Sequence, residues 1–191
     1  MVLPLVDVSG SMDCPVGRSG NVSCMDVAIS LGLYISERNV GPFKDSFITF
    51  SAEPELQHLK GNLVDRFNQL SDSEWGYNTN IESVFKLILD KSVKNNVAKE
   101  DMPTIILILS DMEFDVATNN NGWDMTAQEM ITSLYSEHGY ETPKIVYWNL
   151  NSRQDNCPVK FDEVGTSLVS GFSPSILKSI LGGKEMTPMS I

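Results

Sequence analysis

Histidine and cysteine are scarce in this 191-residue chain, which carries two of the first and three of the second. Cys14, Cys24 and Cys157 form an odd, irregularly spaced set, which is not a disulfide framework. They also lack the paired spacing of a zinc site, and His58 and His138 stand alone. All five are read as structural or incidental, in a reducing compartment. Basic residues are few as well: 14 Lys and Arg face 25 Asp and Glu, for a net charge of -11. A basic stripe that could follow a phosphate backbone is missing, so direct nucleic-acid binding is not expected. No apolar run approaches the roughly 18 residues that a membrane span needs. A Gly-rich phosphate loop and a justifiable Ser/His/Asp set are missing too, which removes the commonest enzyme signatures.

What is present is an ordinary globular composition, 41% apolar and 20% charged, in a length that suits one domain with a sizeable core. The chain begins almost inside its first strand, so a domain excised from a larger protein is expected, with Met1 added for expression. The domain is expected to span residues 1–183, with 184–191 as a frayed tail.

The most informative stretch opens the chain. Leu3-Pro4-Leu5-Val6 is an apolar run that leads into Asp7-Val8-Ser9-Gly10-Ser11. A short continuous apolar segment ended by Ser and Gly reads as a strand covered on both faces, about Val2 to Val8. Thr104 to Leu109 repeats the pattern and ends in Ser110-Asp111. Between them the periodicity predicts a helix over Ser23–Arg38 with Ser23 and Asp26 as a capping box. Val27, Leu31, Tyr34 and Ile35 define its expected face. A strand over Asp45–Phe50 follows, then a short antiparallel edge strand over Glu55–Leu59. A helix over Leu63–Leu70 is expected to set Leu63, Phe67 and Leu70 on one face. The next helix, Ile81–Asn95, would be capped by Thr79 or Asn80. After Asp111 come a helix over Thr126–Glu137, a strand over Ile145–Leu150, a strand over Ser167–Val169 and a last helix begun near Pro174 and stopped by Gly182-Gly183.

Alternating strands and helices predict an α/β fold: a three-layer, doubly wound, Rossmann-like sheet of six mostly parallel strands, with one short antiparallel edge strand and helices on both faces. In such sheets ligands bind beyond the carboxyl ends of the strands, at the switch point. Asp7, Ser9, Ser11 and Asp111 would gather there, with Thr79 from the loop before a helix. All five offer hard oxygen donors, which suit Mg2+ first, and Mn2+ or Ca2+ next. Each has a plainer role available: Asp7 as a strand-end cap, Ser9 and Ser11 as turn residues, Thr79 as an N-cap, Asp111 as part of a solvated acidic loop with Glu113 and Asp115.

Asp7-x-Ser9-x-Ser11, the loop residue Thr79 and Ser110-Asp111 together resemble the metal-ion-dependent adhesion site of von Willebrand factor A domains. The order of elements agrees over nearly the whole chain. Val6 to Met12, Gly76 to Asn80 and Leu109 to Asp115 are similar to an intracellular branch found in plants, fungi, bacteria and large DNA viruses, related to the A domain of the Ro ribonucleoprotein autoantigen. The resemblance implies that Ser9 and Ser11 bind a divalent cation directly, that Thr79 does so directly or through water, and that Asp7 and Asp111 act mostly through water. It further implies a non-enzymatic, cytoplasmic, monomeric binding module, in which the cation takes a Glu or Asp carboxylate from a partner protein. Trp75, Tyr77, Phe114 and Trp123 would rim the site or pack its loops. In some A domains the last helix shifts between states, here about Ser175 to Leu181. Two alternatives stand beside this one. A haloacid-dehalogenase-type, Mg2+-dependent phosphohydrolase would also start from a strand-end Asp, but it needs an acid where Ser9 stands. A ribonucleoprotein-associated scaffold is the other.

Overall fold

A computed structural model describes residues 1–16, 21–73, 80–111, 125–151, 166–171 and 174–182. Six strands form one sheet: β1 (Val2–Val6), β2 (Ser46–Thr49), β3 (Leu56–His58), β4 (Ile105–Ser110), β5 (Lys144–Asn149) and β6 (Thr166–Ser170). Among the described residues five α-helices accompany them: α1 (Cys24–Ser36), α2 (Leu63–Ser71), α3 (Ile81–Lys94), α4 (Met125–Glu137) and α5 (Pro174–Leu181). The strand order is β3-β2-β1-β4-β5-β6. All neighbours run parallel except β2 and β3, which pair antiparallel through Ser46 with His58 and Ile48 with Leu56. The fold is therefore the Rossmann-like α/β arrangement, and its switch point lies between β1 and β4.

The central strands are apolar on both sides because both sides are covered. Their side chains alternate between faces with the period of two that a strand imposes. Val2, Val6, Leu107 and Leu109 join a core with residues of α1 and α5, including Ala28, Ile29, Leu33, Ile176 and Ile180. Leu3, Leu5, Ile106 and Ile108 join a second core with residues of α3 and α4, including Val84, Phe85, Ile88, Ile131 and Tyr135. Tyr135 is fully buried, and its hydroxyl donates to the Phe85 carbonyl at 2.9 Å, which satisfies the one polar atom it brings inside.

Three expectations change. The inward face of α1 is Cys24, Ala28, Ile29, Gly32, Leu33 and Ile35, while Tyr34 is exposed. The cause is close packing: a Cβ on Gly32 would stand 2.7 Å from Val6 Cγ2, so the helix rolls its smallest residues onto β1. In α2, Leu70 is buried but Leu63 and its neighbour Val64 are both 66% exposed. Leu63 opens the helix just after its cap Asn62 and has no layer above it. Finally, β1 ends at Val6, not Val8. The Asp7 N–H still bonds the Leu109 carbonyl at 3.0 Å, but the Ser9 N–H then folds back onto Asp7 Oδ1 at 2.9 Å and turns the chain. Thr79, Trp75, Tyr77, Glu113, Phe114, Asp115, Trp123, Cys157 and the tail 184–191 lie outside the described residues.

Candidate functional site at the switch point

The register of the two central strands decides what meets at their carboxyl ends. Val2 pairs with Ile105 and Val6 with Leu109, so Asp7 comes level with Ser110 and Asp111 follows directly. The two acids, 104 positions apart in the chain, thus share one end of one seam. Both are buried, Asp7 at 3% and Asp111 at 1% relative exposure. Carboxylates are seldom buried so deeply unless something compensates them.

Asp7 is held from two sides. Its Oδ1 accepts the Ser9 N–H at 2.9 Å, and its Oδ2 accepts the Ser110 hydroxyl at 2.7 Å. Burial pushes its carboxyl above the ordinary value of 3.8, and the charge of Asp111 pushes the same way. Hydrogen bonds from Ser110 and Ser9 offset part of that. No Lys or Arg among the described residues pairs with Asp7. Asp111 has contacts of its own, and its Oδ2 atom is buried without a hydrogen bond.

Ser9 and Ser11 form the outer part of the site. A short 3-10 turn, Gly10–Asp13, follows Ser9, closed by the Met12 N–H on the Ser9 carbonyl at 3.0 Å. This curl brings the Ser9 and Ser11 hydroxyls to 3.0 Å from each other. Both residues are half-buried, so the hydroxyls lie at the border between the buried carboxylates and solvent. The structure therefore gathers Asp7, Ser9, Ser11 and Asp111 at one edge. Thr79 is outside the described residues, but its competing role is taken: Asn80 caps α3, accepting the Ser83 N–H at 3.0 Å.

Ser110 stands in the motif without an assigned role, and the structure sets its hydroxyl on Asp7. Its signal was available, since it is the one polar residue closing an otherwise apolar strand, Ile105–Leu109. Asn149 ends β5 beside it, buried, and accepts the Asn151 N–H at 2.8 Å. No cluster of three or more His, Cys, Asp or Glu exists among the described residues, so a cation here would depend on hydroxyl ligands as well as carboxylates.

The arrangement offers only oxygen donors, with two formal negative charges in a buried floor and two hydroxyls above it. That chemistry fits a hard divalent cation and fits neither zinc nor copper. No helix among the described residues is long and apolar enough to cross a membrane.

Comparison with known proteins gives two findings. Residues 2–190 match the family model of a domain of unknown function, DUF7788. The chain is also similar to the uncharacterized protein L728 of Acanthamoeba polyphaga mimivirus, at 35% identity over 192 residues. That match covers 100% of this chain and 32% of the viral protein, so the chain spans about a third of that relative's length.

Proposed function

This chain belongs to the DUF7788 family, and from its strand-end residues and their meeting at one seam we propose that it is a von Willebrand factor A-like binding module. In this proposal Asp7, Ser9, Ser11 and Asp111 hold a divalent cation, Mg2+ foremost, with Thr79 as a fifth ligand on the strength of the motif. The observation that carries it is the meeting of two buried carboxylates, Asp7 and Asp111, with the Ser9 and Ser11 hydroxyls at the switch point of the sheet. When bound, the cation supplies an electrophilic position that a Glu or Asp carboxylate of a partner protein can fill.

The chain's own residues do the rest. Ser110 and the Ser9 N–H fix both oxygens of Asp7, so the floor is ordered in advance. Ser9 and Ser11 stand at the solvent border, where an outside group can reach. The set carries only two negative charges, which leaves a divalent ion able to attract one more. No nucleophile or general base is required, and we infer a non-enzymatic role. A phosphohydrolase of the haloacid-dehalogenase type would need an acid at position 9, and a serine hydroxyl cannot take that part. An intracellular setting, proposed from the sparse cysteines, completes the reading.

The test uses Mn2+ as a reporter. Acetate added to the Mn2+-loaded protein is expected to displace a bound water and lower the water-proton relaxation rate. The Asp7→Asn variant should show neither the enhanced relaxation nor the acetate effect. Undiminished relaxation on adding acetate to wild type would overturn the adhesion reading while leaving a metal site in place.

A further inference from the structure

Two of the three cysteines, spread irregularly along the chain, meet in the fold. The Cys14 thiol donates to the Cys24 sulfur at 2.9 Å, and the Cys24 thiol donates to the Leu150 carbonyl at 3.1 Å. Neither is in a disulfide. The backbone explains why they meet. Cys14 follows the 3-10 turn that carries Ser11, and Cys24 opens α1. Between them the chain doubles back: Pro15 bridges Ser23 antiparallel, the Val16 N–H bonds the Val22 carbonyl at 2.8 Å, and the Cys24 N–H bonds the Cys14 carbonyl at 2.9 Å. Cys14 and Cys24 therefore face each other across a short ribbon. Directly opposed residues in such a ribbon have Cα atoms about 5.5 Å apart when hydrogen-bonded, inside the roughly 4.4–6.8 Å that a disulfide spans.

We propose that Cys14 and Cys24 are a dithiol pair that closes reversibly to an intrachain disulfide, a redox clasp on the loop bearing Ser9 and Ser11. The two residues differ in access as such a pair requires. Cys14 is half-buried and within reach of a small oxidant, whereas Cys24 is 2% exposed and has the Cys14 sulfur beside it. With a glutathione disulfide as oxidant, the Cys14 thiolate attacks one sulfur and releases one glutathione thiolate. Cys24, losing its proton to water, then attacks the Cys14 sulfur of the mixed disulfide and releases the second. Two protein thiols are oxidised and one glutathione disulfide is reduced to two glutathiones, so atoms and electrons balance.

The bond would tie the end of the site loop to the first turn of α1. It would also remove the Cys24 proton from the Leu150 carbonyl. Leu150 is the residue whose N–H bonds the Ser110 carbonyl at 2.9 Å, so the clasp sits one hydrogen bond from the floor of the site. The inference stands on the two thiols and the ribbon, and it holds whether or not a cation binds.

The experiment equilibrates the folded chain in glutathione buffers of rising disulfide-to-thiol ratio, then counts thiols and maps peptides after alkylation. The expected result is a fall from three titratable thiols to one, with Cys14 joined to Cys24 and Cys157 alkylated. Dithiothreitol should restore all three, and the oxidised form should melt at a higher temperature. In concentrated urea the same buffers should lose this selectivity. A lasting glutathione adduct on Cys14, a bridge to Cys157, or no loss of thiols in the folded chain would each overturn the proposal. Cys14→Ser and Cys24→Ser are made separately. Cys24→Ser keeps a donor for Leu150 and should trap the mixed disulfide on Cys14. Should that variant fail to fold, Cys14→Ser still decides the matter, because it should leave Cys24 unreactive in the folded chain.

Discussion

The seam between β1 and β4 has two ends, and both gather polar groups, largely exposed at the amino end and buried at the carboxyl end. At the amino end the partners are complementary. The Met1 ammonium donates to Thr104 Oγ1 at 3.1 Å, the Thr104 N–H bonds the Met1 carbonyl at 2.8 Å, and buried Asn39 donates to the Val2 carbonyl at 2.8 Å. Donors meet acceptors and the account closes within the protein. At the carboxyl end two acids of like sign share a buried edge, and Asp7 is answered by neutral donors alone among the described residues. Like charges in a region of low polarity repel. Identical strand pairing thus yields an end where donors meet acceptors and an end where, among the described residues, Asp7 meets a like charge and only neutral donors. A divalent cation would offset that repulsion.

The comparison can be broken or sharpened by four changes. The largest effect is expected at the amino end. Asn39→Ala leaves the Val2 carbonyl without its donor and should cost about 2 kcal/mol, measured by urea unfolding. The loss should be the same with or without Mg2+, since that end has no use for a cation. Ser110→Ala, at the carboxyl end, should cost about 1 kcal/mol in stability. It should also weaken Mg2+ binding by about 10- to 100-fold, because the donor that orients Asp7 is gone; calorimetric titration separates the two effects. Asp7→Asn should change metal-free stability by less than about 1 kcal/mol and can even stabilise, since it removes a buried charge. Its amide oxygen can still accept the Ser9 N–H, and the Ser110 hydroxyl can rotate to accept from the amide nitrogen. The same variant should abolish any Mg2+-dependent rise in melting temperature.

The smallest effect is on pH dependence. The folded-state pKa of Asp7 is raised, so above the unfolded value the native state holds a proton that the unfolded chain releases. In metal-free buffer, stability should therefore fall as pH rises from about 4 to beyond the raised value, then level off. Asp7→Asn should lack this segment of the curve, and Mg2+ should flatten it by favouring the ionised form of Asp7. Melting curves at a series of pH values check both.

Much of the fold was legible because apolar runs and caps are local signals. The alternation of strands and helices and the antiparallel edge strand appear as read, and the Ser23–Asp26 capping box is present as its spacing predicts. The face of α1 was not legible, because Gly32 looks like a weak helix residue until Val6 is set against it. The site was legible in part. Asp7, Ser9, Ser11 and Asp111 announce themselves by their place after apolar strands. Ser110 stood in the same motif, but its bond to Asp7 was not legible, since it forms only once β1 lies beside β4. The Cys14–Cys24 contact stayed hidden for a similar reason: it depends on a ribbon closed by Pro15 and Ser23, which no periodicity reveals.

The central claim is that Asp7 and Asp111 floor a cation site. Electron paramagnetic resonance of Mn2+ titrated into the chain tests it most directly, because free and bound ions are counted separately. One Mn2+ per chain should bind to wild type and be displaced by Mg2+, and binding should be lost in both Asp7→Asn and Asp111→Asn. Unchanged Mn2+ binding in those two variants, or none in wild type, would contradict it.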